Sequence, residues 1–192
     1  MRTSRLLAAS AVASAFLVAC SAPPSRDEPA PPHVPTQSTA KQAVANVSPA
    51  SASLVSGRLT FVPMGGGVHI TGTLGGLTPG STHAFHVHEK GDCSAVDASS
   101  AGGHFNPFAA PHGRSNSGLD AHHAGDMDNV VANGEGVAQV NVHLTGVTLG
   151  GGAVNDIADR ALVVHASPDD YASQPAGNAG ARIACGVIKV TQ

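Results

Sequence analysis

A chain of 192 residues with a formal charge of −3 has room for one ordinary domain and little more. Lacking a basic excess, it is not built to hold nucleic acid. Its 23 glycines, 13 prolines, 3% aromatics and absent tryptophan suit short strands and turns rather than a helical bundle. The outlying number is 11 histidines, most of them between His83 and His123.

In chain order, Arg2 and Arg5 precede an apolar stretch, Leu6 to Ala19, that is too short to span a bilayer comfortably. Residues 1–19 read as a signal peptide and are set aside from the fold. The stretch ends Leu17-Val18-Ala19-Cys20, which resembles the lipobox of bacterial lipoproteins. That resemblance makes Cys20 the lipidated first residue of a mature chain anchored to a membrane of the cell envelope. An ordinary cleaved signal peptide that happens to carry a cysteine would instead leave a soluble periplasmic protein. Residues 20–42 are Pro- and Ala-rich without hydrophobic period and form an extended tether, in which His33 stands alone. Cys93 and Cys185 remain, and an even pair in an exported protein is most simply one disulfide.

The domain occupies 43–192. Strands are expected at Val44–Val47, Val55–Val62, Val68–Leu74, His83–Glu89, Asn129–Ala132, Val137–Leu144, Ala161–His165 and Arg182–Val190. Gly65-Gly66-Gly67, Thr78-Pro79-Gly80 and Asn133-Gly134 mark turns between them. Eight short strands without a convincing helix predict an all-β antiparallel sandwich or barrel. Two long irregular segments, Gly91–Asp128 and Ser167–Ala181, interrupt it, and loops of that length are usually functional.

His86-Val87-His88 lies within the strand HAFHVHE. Residues two apart on a strand share a face, so both imidazoles can reach one ion while Phe85 and Val87 turn into the core. His165 ends the apolar run Ala161-Leu162-Val163-Val164, where a strand delivers a side chain to the rim; on its own it reads as a core histidine. The long loop holds His104, His112, His123 and Asp126. Three imidazoles and a carboxylate make a complete tetrahedral set for Zn²⁺, of the closed structural kind. So polar a loop buries too little to order itself, and metal binding would contribute its folding energy. A flexible His-rich metal scavenger is the competing reading.

The segments FHVHEKGD, SAGGHFNP, HHAGD, LVVHASPDD and NAGARIACGVI, in that order between about Val55 and Val190, resemble copper/zinc superoxide dismutase. Cys93, eleven residues before His104, looks like the bacterial branch. The resemblance implies an eight-stranded antiparallel Greek-key barrel or sandwich and one copper and one zinc per subunit. It implies copper ligands His86, His88, His104 and His165, and zinc ligands His104, His112, His123 and Asp126. His104 would bridge the two metals as an imidazolate and supply a proton in turnover. Asp169 would link a copper histidine to a zinc histidine, with Asp170 a solvated loop acid. Arg182 would stand at the channel mouth and attract superoxide, the alternative being a surface arginine. Cys93 and Cys185 would join the ligand loop to the last strand. The implied reaction disproportionates superoxide to dioxygen and hydrogen peroxide, and a homodimer is left open.

His122 adjoins His123 and could be the zinc ligand in its place, although the His-x-x-Asp spacing selects His123, three before Asp126. His69, His83 and His143 lie outside the motifs and read as structural or solvated. Two departures from the family bear on the channel: the segment from His165 to Arg182 is short and lacks lysine, and Ala176 stands where the family often has threonine. A non-catalytic protein that sequesters copper or zinc would explain the ligands but not Arg182. A zinc hydrolase would need an open zinc position that four ligands do not leave.

Overall fold

Alternating burial shapes the first hairpin. In β2 (Ser56–Met64), Leu59 and Phe61 are fully buried, whereas Val62 turns outward; in β3 (Gly67–Gly75), Val68, Ile70 and Leu74 are buried. The two strands pair from Ser56↔Gly75 to Met64↔Gly67, and Gly65 and Gly66 close the turn with φ of 51° and 79°. Only glycine enters that left-handed region without steric cost. The structure is a computed structural model and describes residues 37–192. The signal peptide, Cys20, His33 and all of the tether up to residue 36 lie outside the described residues.

Seven strands form one antiparallel sheet in the order β5-β8-β9-β1-β2-β3-β7. The remaining members are β1 (Ala43–Pro49), β5 (Phe85–His88), β7 (Ala138–Thr145), β8 (Ala161–His165) and β9 (Arg182–Val190). A second, two-stranded sheet joins β4 (Thr82–His83) to β6 (Val130–Val131), and an isolated bridge, Ala132↔Ala138, carries that pair toward β7. The sheet therefore curls into a half-barrel around Phe61, Phe85, Ile70, Leu144, Leu162 and Ile188. Each such side chain contributes about 1.5–3 kcal/mol by leaving water. Among the described residues the one helical piece is a 3₁₀ turn, Ser99–Ala101.

Among the described residues there are nine strands where eight were expected, because the segment read as His83–Glu89 divides at Ala84. Thr82 and His83 pair with β6, while Phe85 to His88 pair with β8. Ala84 itself is bonded through its N–H to Ser167 O and through its carbonyl to His165 N, so the segment turns a corner between the two sheets. A third long loop, residues 146–160, fills the gap that the expected strands Val137–Leu144 and Ala161–His165 leave. Asp156 organises it, its carboxylate accepting the N–H groups of Gly150, Gly152 and Ala158 at 2.8 Å each.

Cys93 and Cys185 form a disulfide with Cα atoms 5.7 Å apart, across 92 residues of sequence. It joins the loop after β5 to β9. In the chain-entropy picture, closing a loop of that size contributes about 4–5 kcal/mol.

Candidate metal centre

Strand pairing brings the histidines together. β5 and β8 are hydrogen-bonded neighbours, with Phe85↔Val164 and His86↔Val163 in register. The β8–β9 register places Arg182 opposite His165, after a bulge between Val164 and His165. His104 reaches the same place through an isolated bridge to His88. One ligand atom from each of His86, His88, His104 and His165 lies within 4.8 Å of the others, and the same holds for His104, His112, His123 and Asp126. All seven residues are buried, and His104 belongs to both groups. His122 belongs to neither. Its Nδ1 donates instead to His123 O at 2.7 Å.

Each ring of the first group commits one nitrogen to an oxygen and turns the other toward the group. His88 Nδ1 donates to Gly102 O at 3.0 Å and His165 Nδ1 faces Gly180 O at 3.4 Å. A carbonyl can only accept, so in both rings the proton sits on Nδ1 and Nε2 presents a lone pair. Those two Nε2 atoms are 3.4 Å apart. Neither carries a second proton at neutral pH: burial is the first cause holding His88 down at about 2 and His165 at about 3, with neighbouring imidazoles adding to it. Two facing lone pairs in a buried site repel unless a cation lies between them. His86 Nδ1 and His104 Nε2 are likewise buried without a hydrogen-bond partner. Four inward imidazole nitrogens make the donor set that copper prefers.

The second group contains the carboxylate. Asp126 Oδ1 lies 2.8 Å from His104 Nδ1 and 3.3 Å from His123 Nδ1, and Oδ2 lies 3.0 Å from His112 Nδ1. The N–H groups of Gly113 and His123 donate to Oδ2 and fix the carboxylate's angle. Burial would raise the Asp126 carboxyl, but contacts with His104, His112 and His123 outweigh it and hold the group far below the usual carboxylate range. Three imidazoles and one carboxylate, all buried, are a donor set that fits zinc.

Asp169 spans the two groups, accepting from His86 Nε2 on Oδ2 and from His112 Nε2 on Oδ1, both at 2.9 Å. Burial works against its charge, yet those two hydrogen bonds keep its carboxyl well below its ordinary value. Burial also lowers His112, but Asp126 and Asp169 prevail and raise it to about 9.

Sequence reasoning missed the residues that hold this bridge. The Asn129 side chain clamps the Asp169 backbone, accepting its N–H at 2.8 Å and donating to its carbonyl at 2.9 Å. Gln174 does the same for His112, at 2.8 and 2.9 Å. Gly177 packs directly on the Asp169–His112 contact. No spacing rule marks an amide that folds back across 40 or 62 residues. His83 also has a structural role: its Nδ1 meets His165 O at 2.8 Å and its Nε2 meets Ser81 Oγ at 2.6 Å.

A cavity of about 480 Å³ opens onto His88, His104, His123 and His165, and Arg182 is the one permanently charged residue among its lining. The guanidinium donates from Nη1 to Ala98 O at 2.8 Å and from Nη2 to Gly102 O at 2.6 Å. Gly102 O also accepts from His88, so arginine and ligand ring share one anchor. Ala176 and Gln174 line the same cavity.

Comparison with known proteins gives a consistent result. The pattern of the family described as Copper/zinc superoxide dismutase (SODC) matches residues 55–188. Superoxide dismutase (Cu-Zn) 2 of Aquifex aeolicus (strain VF5) is 44% identical over 138 residues, covering 70% of this chain and 80% of that protein. The superoxide dismutase (Cu-Zn) of Caulobacter vibrioides is 44% identical over 139 residues, covering 70% and 78%. Among solved structures, a double mutant of a SOD-like protein from Bacillus subtilis superposes with a TM-score of 0.69 at 34% identity, covering 76% of this chain and 96% of that one. With two buried donor sets suited to copper and zinc and relatives of this kind, the chain belongs to the copper/zinc superoxide dismutase family, as an enzyme that uses both metals.

Proposed function

We propose that His86, His88, His104 and His165 hold the copper, that His104, His112, His123 and Asp126 hold the zinc, and that the enzyme disproportionates superoxide in the cell envelope from a lipid anchor on Cys20. The observation that carries the ligand assignment is the pair of facing lone pairs on His88 and His165, 3.4 Å apart and buried. When bound, copper supplies a one-electron redox couple and zinc a fixed charge that shapes the loop.

The chain's own groups do the rest. Arg182 gives the cavity a positive side chain for a small anion, and its two carbonyl partners keep the guanidinium from swinging out. His104 faces the first group with Nε2 and the second with Nδ1, so Nε2 is the atom at which it can hold or release a proton. Two superoxide anions and two protons then yield one dioxygen and one hydrogen peroxide. The signal-like residues 1–19 and the Cys93–Cys185 disulfide support an oxidising compartment.

The test measures superoxide turnover and metal content together, in the wild type and in His165→Ala. Turnover in a wild type holding one copper and one zinc, lost together with copper but not zinc in the variant, is expected. Bound metals without turnover would make this a sequestering protein. Unchanged copper in His165→Ala would refute the ligand set.

A further inference from the structure

Strands β3 and β7 contribute no residue to either buried group, yet they carry two histidines side by side. His69 and His143 are register partners, directly opposite each other in the ladder. Their flanking neighbours Val68, Ile70 and Leu144 are buried, so the two rings stand on the outer face of the sheet, half-buried. Opposite residues on one face have Cβ atoms about 4.5–5.5 Å apart. The ring centroids are 6.4 Å apart and the planes are tilted by 34°.

Neither ring makes a hydrogen bond, and Nδ1 of each is buried without a partner. A buried polar atom left unpaired is costly, and here two of them face the same strip of sheet. Among the described residues, the other histidines outside the metal groups are not arranged so: His83 is bonded at both nitrogens, and His122 at one. Two unpartnered imidazoles on adjacent strands form a chelate, because β-sheet rigidity has already fixed their separation. Two rings that share one ion through metal–nitrogen bonds of about 2.0–2.1 Å sit closer than 6.4 Å unless those bonds are collinear, so a small side-chain rotation would complete the chelate.

We propose that His69 and His143 form a third metal site, a half-buried two-histidine chelate on the outer face of the sheet for a borderline divalent cation such as Zn²⁺ or Cu²⁺. Imidazole suits both ions, with copper the tighter by the usual order. With two protein ligands the remaining positions belong to water, so the site exchanges its ion freely and fills after the buried pair. His143, though not His69, also lines a hollow of about 430 Å³ with Asp128, Gln139 and Asn141, which leaves room for water on that side of the ring.

The experiment starts from enzyme whose copper and zinc content has been measured, and titrates it with ZnCl₂ in a calorimeter. One further equivalent is expected beyond the initial content. His69→Gln and His143→Gln should each weaken that equivalent by at least tenfold, leaving the initial content and the thermal midpoint unchanged. In histidine ring spectra, added Zn²⁺ should shift the signals that these two variants lack. Absence of a further equivalent overturns the proposal. So does an equivalent that survives both substitutions, or one that vanishes with His33→Gln, which would place the ion in the tether.

Discussion

Gly177→Ala should unfasten the bridge between the two metal groups, and the structure permits its cost to be estimated. A Cβ at this position would lie 1.8 Å from Asp169 Oδ1 and 2.7 Å from His112 Nε2. Those two atoms are hydrogen-bonded to each other at 2.9 Å. The carboxylate cannot swing aside, because Oδ2 holds His86 and Oδ1 also accepts the Tyr171 N–H at 2.7 Å. Gly177 has φ of +63°, so alanine first incurs about 1–2 kcal/mol of left-handed strain. Losing a buried, charged hydrogen bond adds about 1.5–3 kcal/mol, for roughly 2.5–5 kcal/mol in all. Gly80→Ala is the matching control, with φ of +74° and open space around the new methyl, so it should cost only the strain of about 1–2 kcal/mol. Urea denaturation of both variants isolates the difference. Zinc retention against a chelator should fall about 10–100-fold in Gly177→Ala alone, as for other partners that orient a ligand. If the two variants proved equally stable and equally retentive, the Asp169–His112 bridge would not matter to the site.

Three further outcomes follow from the same geometry. Arg182→Ala should lower turnover about tenfold with metals intact, Arg182→Lys should recover part of it, and the deficit of Arg182→Glu should shrink as salt is raised; turnover at three ionic strengths decides, and equal, salt-independent rates would refute steering. In the metal-free protein, His88, His104 and His165 are held down, by burial first, at about 2, 4 and 3. The unfolded chain therefore takes up those three protons first as pH falls below about 6.5, and stability should drop from about pH 6.5 down through about 4, 3 and 2 as each folded-state value is reached. His112, raised to about 9, acts in a separate window: its contribution is complete below about 6.5 and is lost as pH rises through 9. Denaturation midpoints of metal-free protein that stayed level from pH 7 to 5 would contradict the burial argument. Finally, Cys20→Ser should release the protein from the membrane fraction, and unchanged fractionation would refute the lipid anchor.

What the sequence determined by itself was residue type and period. His86-Val87-His88 was readable as a pair on one strand face because a strand repeats every two residues, and the apolar run before His165 marked a core strand for the same reason. Five ordered motifs then carried the family, and with it the expectation of the copper and zinc sets. The tertiary structure decided everything that depends on direction or on distance along the chain. Ala84 divides a strand because its two backbone bonds go to a loop and to β8 rather than along one ladder. His123 enters the second group and His122 does not, the latter bonding through Nδ1 to the His123 carbonyl. Which nitrogen of each ring faces inward is set by carbonyls and carboxylates as far as 83 residues away. Asn129, Gln174 and Gly177 were invisible to spacing because an amide clamp and a missing Cβ act only through the atoms that folding places beside them.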